Sequence, residues 1–72
     1  MEHAWELYDT FEVEEVKALS YSDFDYKLEI YINGELKFQS TFEERWELAQ
    51  VRKAFMEWYF LWKGVLFWGK HE

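Results

Sequence analysis

The sequence predicts an α+β domain: a three-stranded antiparallel β-meander near residues 10–41 and one long C-terminal α-helix over residues 42–63 packed on one face (βββα), with a short element ahead of them. Three observations predict it. Residues 26–42 alternate apolar and polar side chains about an Asn-Gly pair; residues 48–62 carry apolar side chains at helical spacing; and the chain holds no proline to interrupt either pattern. Seventy-two residues make a single domain, 1–72, too short to bury more than about 60% of its unfolded surface.

The N-terminal third carries the weakest local signal. Trp5, Leu7 and Tyr8 fit a short helix or an edge strand. Phe11, Val13 and Val16 predict a strand with a bulge at Glu14-Glu15, closed by a turn at Ser22-Asp23-Phe24-Asp25. A helix capped by Asp9 with Glu12 competes with this reading, and the prevalence of Val, Phe and Tyr favours the strand.

The hairpin is the clearest element. Tyr26, Leu28, Ile30 and Ile32 alternate with Lys27, Glu29 and Tyr31, and Leu36, Phe38, Ser40 and Phe42 alternate with Lys37, Gln39 and Thr41. Asn33-Gly34 between them is a strong turn signal. A two-residue loop pairs Ile30 with Lys37, setting apolar against charged. A three-residue loop with Gly34 left-handed in a bulge instead pairs Ile30 with Leu36 and Leu28 with Phe38, and sets Glu29 against Lys37, an opposed pair contributing about 0.2–1 kcal/mol. The three-residue loop is therefore expected.

After the hairpin, Ser40 with Glu43 or Thr41 with Glu44 forms a capping box, so a helix should start near residue 42. Leu48, Val51, Phe55, Trp58, Tyr59 and Trp62 make the stripe expected to cover the sheet. Gly64 can end the helix in a left-handed cap; continuation through it costs only about 1 kcal/mol. A second line of Ala49, Met56, Phe60, Lys63 and Phe67, and a third of Leu61 and Trp68, leave the helix apolar on three sides. At roughly 150–250 Å² per ring, the surplus exceeds what a three-stranded sheet covers. Met56, Phe60, Leu61, Phe67 and Trp68 are thus the candidate partner-binding or dimer seam; cover by Trp5, Leu7, Tyr8 and Phe11 is the intramolecular alternative.

Charge is concentrated as well. Residues 1–25 hold eight acids (Glu2, Glu6, Asp9, Glu12, Glu14, Glu15, Asp23 and Asp25) against Lys17, a balance of -7, and the remaining residues are neutral with seven of each sign. These eight acids form a second candidate surface, suited to a protein partner with a basic surface. The same balance argues against direct nucleic-acid binding, which needs clustered Lys and Arg, and against a membrane surface, which favours a Lys- and Arg-rich polar face. Carboxylates two apart on a strand sit about 6.6 Å apart, sparser than the phosphate charges of a duplex at about 1.7 Å along its axis, so nucleic-acid mimicry requires the acids to converge.

Catalytic signals are few. Without cysteine there is no disulfide, no thiol nucleophile and no cysteine-based metal site. His3 and His71 lie beside the chain ends, where a metal or catalytic geometry is hard to hold. No glycine-rich phosphate loop is present, and Asp23 and Asp25 read as turn formers. No catalytic, cofactor or metal site is assigned. Glu2 and Glu6 near the start do not read as a signal peptide, and the longest uncharged stretch, Gly64 to Gly69, is far short of the roughly 18 residues of a membrane span. A soluble, cytoplasmic protein is expected.

These features predict a non-enzymatic acidic binding protein that occludes a larger protein partner, an inhibitor of a nucleic-acid-handling enzyme being the sharpest form. By analogy alone, small viral inhibitors of host-defence enzymes, acting in the host cell, share this profile. The alternative is a homodimeric structural or regulatory protein closed by the aromatic helix seam.

Overall fold

A computed structural model of the chain describes residues 4–69, with side chains through Gly64. The described residues form β1 (Glu6–Val13), β2 (Val16–Ser22), β3 (Tyr26–Ile32), β4 (Glu35–Phe42) and α1 (Arg45–Gly69). The strands make one antiparallel sheet in chain order. The class is α+β with one C-terminal helix, as the sequence predicts, but the meander has four strands.

The added strand comes from Glu14-Glu15, which turns the chain instead of bulging it. Glu14 takes a φ of 53°, and Val13 folds back opposite Val16. A left-handed glutamate is locally unfavourable. Long-range contacts hold it: the Glu15 carbonyl accepts the Asn33 N–H at 2.9 Å, tying the β1–β2 turn to the β3–β4 turn. Trp5 precedes β1, while Leu7 and Tyr8 lie in it as an edge strand with a register shift between Leu7 and Asp9.

The β3–β4 register also differs from expectation. Ile32 pairs with Glu35 across a two-residue Asn33-Gly34 turn, both residues left-handed at φ 54° and 79°. The irregularity falls further along, between Ile30 and Tyr31, so that Ile30 meets Phe38, Leu28 meets Ser40 and Glu29 meets Gln39. Skipping Lys37 in the register brings the apolar positions of both strands onto one face while the Asn-Gly turn keeps its preferred two-residue form. Lys37 pairs with Glu35 at 3.3 Å, and Glu29 with Lys27 at 3.5 Å. A Cβ added at Gly34 meets nothing within 4 Å, so Gly34→Ala is expected to cost about 1–2 kcal/mol through backbone conformation alone, a fall in melting temperature of several degrees in a thermal scan.

Val16, Ala18, Leu28 and Ile30 from the sheet and Leu48 and Met56 from the helix are buried, with Phe38, Phe42, Phe55 and Tyr59 among the side chains packed around them. β4 runs to Phe42, opposite Tyr26, so Ser40 and Thr41 belong to the ladder and the expected capping boxes do not form. The cap lies two residues later: the Glu44 carbonyl accepts the Leu48 N–H at 3.5 Å, and the Glu47 carboxylate accepts the Glu44 N–H at 3.1 Å. The helix passes through Gly64 to Gly69. Its 25 residues span about 37 Å, against about 26 Å for an eight-residue strand, consistent with the elongated 54 × 22 × 17 Å outline.

Candidate interaction surface

The rotation of α1 about its axis decides which rings are exposed. Arg52, outside the apolar lines of the helix, and Lys63, on the second of them, face the sheet and meet carboxylates there. Arg52 Nη1 lies 2.6 Å from Asp9 Oδ2 and 3.3 Å from Ser20 Oγ, and its guanidinium stands over Phe11. Lys63 Nζ donates to both Glu15 oxygens at 2.7 and 2.8 Å, and Tyr59 Oη donates to Glu15 Oε2 at 2.6 Å. These bonds favour the Glu15 carboxylate over its acid form; the Lys63 ammonium foremost, then the Tyr59 hydroxyl, brings its pKa from the ordinary 4.5 down to about 2. The Glu15 bonds in turn raise both Lys63 and Tyr59.

Turning these three donors toward β1 and β2 rotates the helix by roughly 60° from the orientation its apolar stripe implies, at 3.6 residues per turn. Met56 consequently enters the core, and Phe60 packs half-buried against it. Trp58 and Trp62, expected in the core, are 59% and 50% exposed, and Leu61 is 71% exposed. The indoles stack on one another, centroids 6.2 Å apart and planes 15° apart, while Trp58 also abuts Phe55 and Phe55 abuts Phe38 of β4. Trp58 and Trp62 therefore form an apolar flank on the β4 side of the helix, and Leu61 faces solvent away from the sheet. Of the seam predicted from sequence, the structure sets Met56 and Phe60 inward and Leu61 outward; the Phe67 and Trp68 side chains lie outside the described residues.

The predicted acidic surface is dispersed. Glu6, opposite Ser22, sits with Asp23 and Asp25 at one end of the sheet, and Glu12, Glu14 and Glu15 sit at the other, separated by about 25 Å of strand. Several carboxylates are engaged within the fold: Asp9 with Arg52 at 2.6 Å, Glu15 with Lys63 at 2.7 Å, Glu12 with Lys17 at 3.7 Å, and Asp23 Oδ2 with the Ala4 N–H at 2.9 Å. Glu2 lies outside the described residues, as do His3 and His71.

Two open clefts lie on the described surface. One, about 390 Å³, lies between Phe11 and the helix residues Ala49, Arg52, Lys53, Met56 and Glu57. The other, about 370 Å³, opens beside the β1–β2 turn and is lined by Glu12, Lys17, Leu19 and Tyr31 among others. Among the described residues no group of three or more His, Cys, Asp or Glu is arranged to hold a metal, and no helix is long and apolar enough to cross a membrane. Compared with protein-family models, curated proteins and solved structures, the chain matches none.

Proposed function

We propose that the protein is a non-enzymatic binding protein that occupies a surface on a protein partner, and that the Trp58–Trp62 flank is its principal contact. The exposure of two stacked tryptophans carries this reading. Each tryptophan is half or more exposed in a chain with a small core of its own, and Trp is among the residues enriched at interface hot spots. The acids have a supporting role: spread over both ends of the sheet and partly paired, they favour solubility and long-range steering over imitation of a phosphate row.

Affinity capture with three baits tests the assignment. Trp58→Ser/Trp62→Ser should lose partners that the wild type retains, while Glu12→Lys/Glu14→Lys retains them with a weakened salt dependence. Loss by the charge variant and retention by the tryptophan variant would move the binding surface to the acids.

A further inference from the structure

The aromatic flank adjoins β4, an outer strand of the sheet with no further strand paired to it among the described residues, and the two sheet edges are unlike. β1 carries Glu6, Asp9 and Glu12 and no base, and its register is broken between Leu7 and Asp9, features that discourage strand addition. β4 carries Glu35 and Lys37, which cancel, and then Phe38-Gln39-Ser40-Thr41-Phe42 without charge. An edge strand of this kind presents unpaired backbone N–H and C=O groups to a further strand. Nothing in the sequence of β4 from Phe38 onward blocks one.

We infer that two copies of the chain pair antiparallel through β4, making a continuous eight-stranded sheet with both helices on one face and Trp58 and Trp62 of each copy filling the space between them. The inference rests on the reading of this flank as the binding surface and names its occupant. A twofold axis through the β4 seam relates each strand to its copy in the antiparallel sense and makes the two helices antiparallel as well. The helix backbone lies closest to β3 and β4. Two or three strand spacings then separate the helix axes, roughly 10–14 Å. Close-packed helices stand 8–10 Å apart, so the gap has room for large side chains. The outward-turned indoles of both copies supply them.

Charge and area agree with a second copy. The acidic β1 edges lie at opposite ends of the eight-stranded sheet, about 34 Å apart, several Debye lengths at physiological salt. The neutral edges meet. Trp58 and Trp62 are half or more exposed, and at 150–250 Å² per ring the four indoles of a dimer contribute roughly 300–550 Å², a large share of the ~1,200 Å² at which stable interfaces begin. Backbone pairing along β4 adds to it.

The test uses the full-length protein and two exposed positions on β4, Gln39 and Thr41. Sedimentation equilibrium should give the wild type about 18 kDa, twice the 9.0 kDa of one chain. Gln39→Lys/Thr41→Lys places like charges across the twofold seam and should sediment as a single chain with wild-type circular dichroism; Gln39→Glu/Thr41→Glu should do the same. Mixing the two should restore the dimer mass, because opposite charges then face one another. A wild type that remains a single chain, or lysine and glutamate variants that stay dimeric, would overturn the inference. If dimers survive both strand variants but are lost in Trp58→Ser/Trp62→Ser, the aromatic flank binds a copy without β4, so the binding reading stands and the strand pairing fails. If capture of a different protein depends on Trp58 and Trp62 while the wild type stays monomeric, the flank serves that partner and the second copy is excluded.

Discussion

Leu48→Ala should leave the chain largely unfolded at physiological temperature. Leu48 is 1% exposed and, with Met56, is one of the two buried helix side chains among the described residues, in one core cluster with Leu28 and Ile30 of the sheet. Truncating a leucine in such a site typically costs about 2–5 kcal/mol, lost transfer energy together with the cavity left behind. One core in a domain of this size supplies only about 3–5 kcal/mol, so a single substitution removes most of the margin. Urea unfolding followed by circular dichroism measures it. The matching control is Leu61→Ala, 71% exposed, which should shift the stability of a single chain by less than about 0.5 kcal/mol. Equal effects at the two leucines would contradict the helix rotation described above.

The second large effect is expected at Glu15, where the helix is fastened to the end of the sheet. With its pKa lowered from 4.5 to about 2 in the folded protein, chiefly by Lys63 and then by Tyr59, the carboxylate contributes stability that is fully present above pH 4.5. That contribution declines as the pH falls below 4.5 and is gone near 2. On the alkaline side the sign reverses: Lys63 and Tyr59 are raised above 10.5 and 10.0, so their share is present at neutral pH and lost as the pH rises past those values. Glu15→Gln should flatten the acid limb, the unfolding midpoints of variant and wild type diverging most above pH 4.5 and converging near 2. Hydrogen exchange should show faster opening of the helix around Tyr59 to Gly64 in the variant, with the Leu48 turn unaffected. Parallel pH profiles for the two proteins would mean that the Glu15 contacts do not fasten the helix.

The same contacts explain which parts of the fold were legible in the sequence. Strand alternation in β3 and β4 and the Asn33-Gly34 turn follow from side-chain period and glycine conformation, both local properties, and they place the hairpin but not its register, which is set by a two-residue turn and an irregularity between Ile30 and Tyr31. The β1–β2 turn does not: a left-handed Glu14 has no local preference behind it and is held by the Asn33 N–H and by Glu15's partners, which lie 18, 44 and 48 residues along the chain. Apolar spacing located the helix but not its rotation. Periodicity weighs Trp58 and Trp62 as core, sets Lys63 on the second helical line and says nothing of Arg52, whereas pairing with Asp9 and Glu15 turns Arg52 and Lys63 inward and the indoles outward. The available signal was the presence of Arg52, Tyr59 and Lys63 within about 40° of one another on the helical projection, in a chain whose first strands carry unpaired acids. The acidic third has the opposite lesson: clustered in sequence, its members are carried to both ends of the sheet once β1 and β2 form a hairpin.

The claim that joins fold to function is that Trp58 and Trp62 belong to a binding surface and not to the core. Trp58→Ser/Trp62→Ser, measured by sedimentation equilibrium and circular dichroism on the same sample, tests it directly. An intact α+β spectrum is expected, together with the mass of a single chain in place of the inferred dimer. A variant that unfolds would return the two indoles to the core, and one that folds and stays dimeric would remove them from the interface.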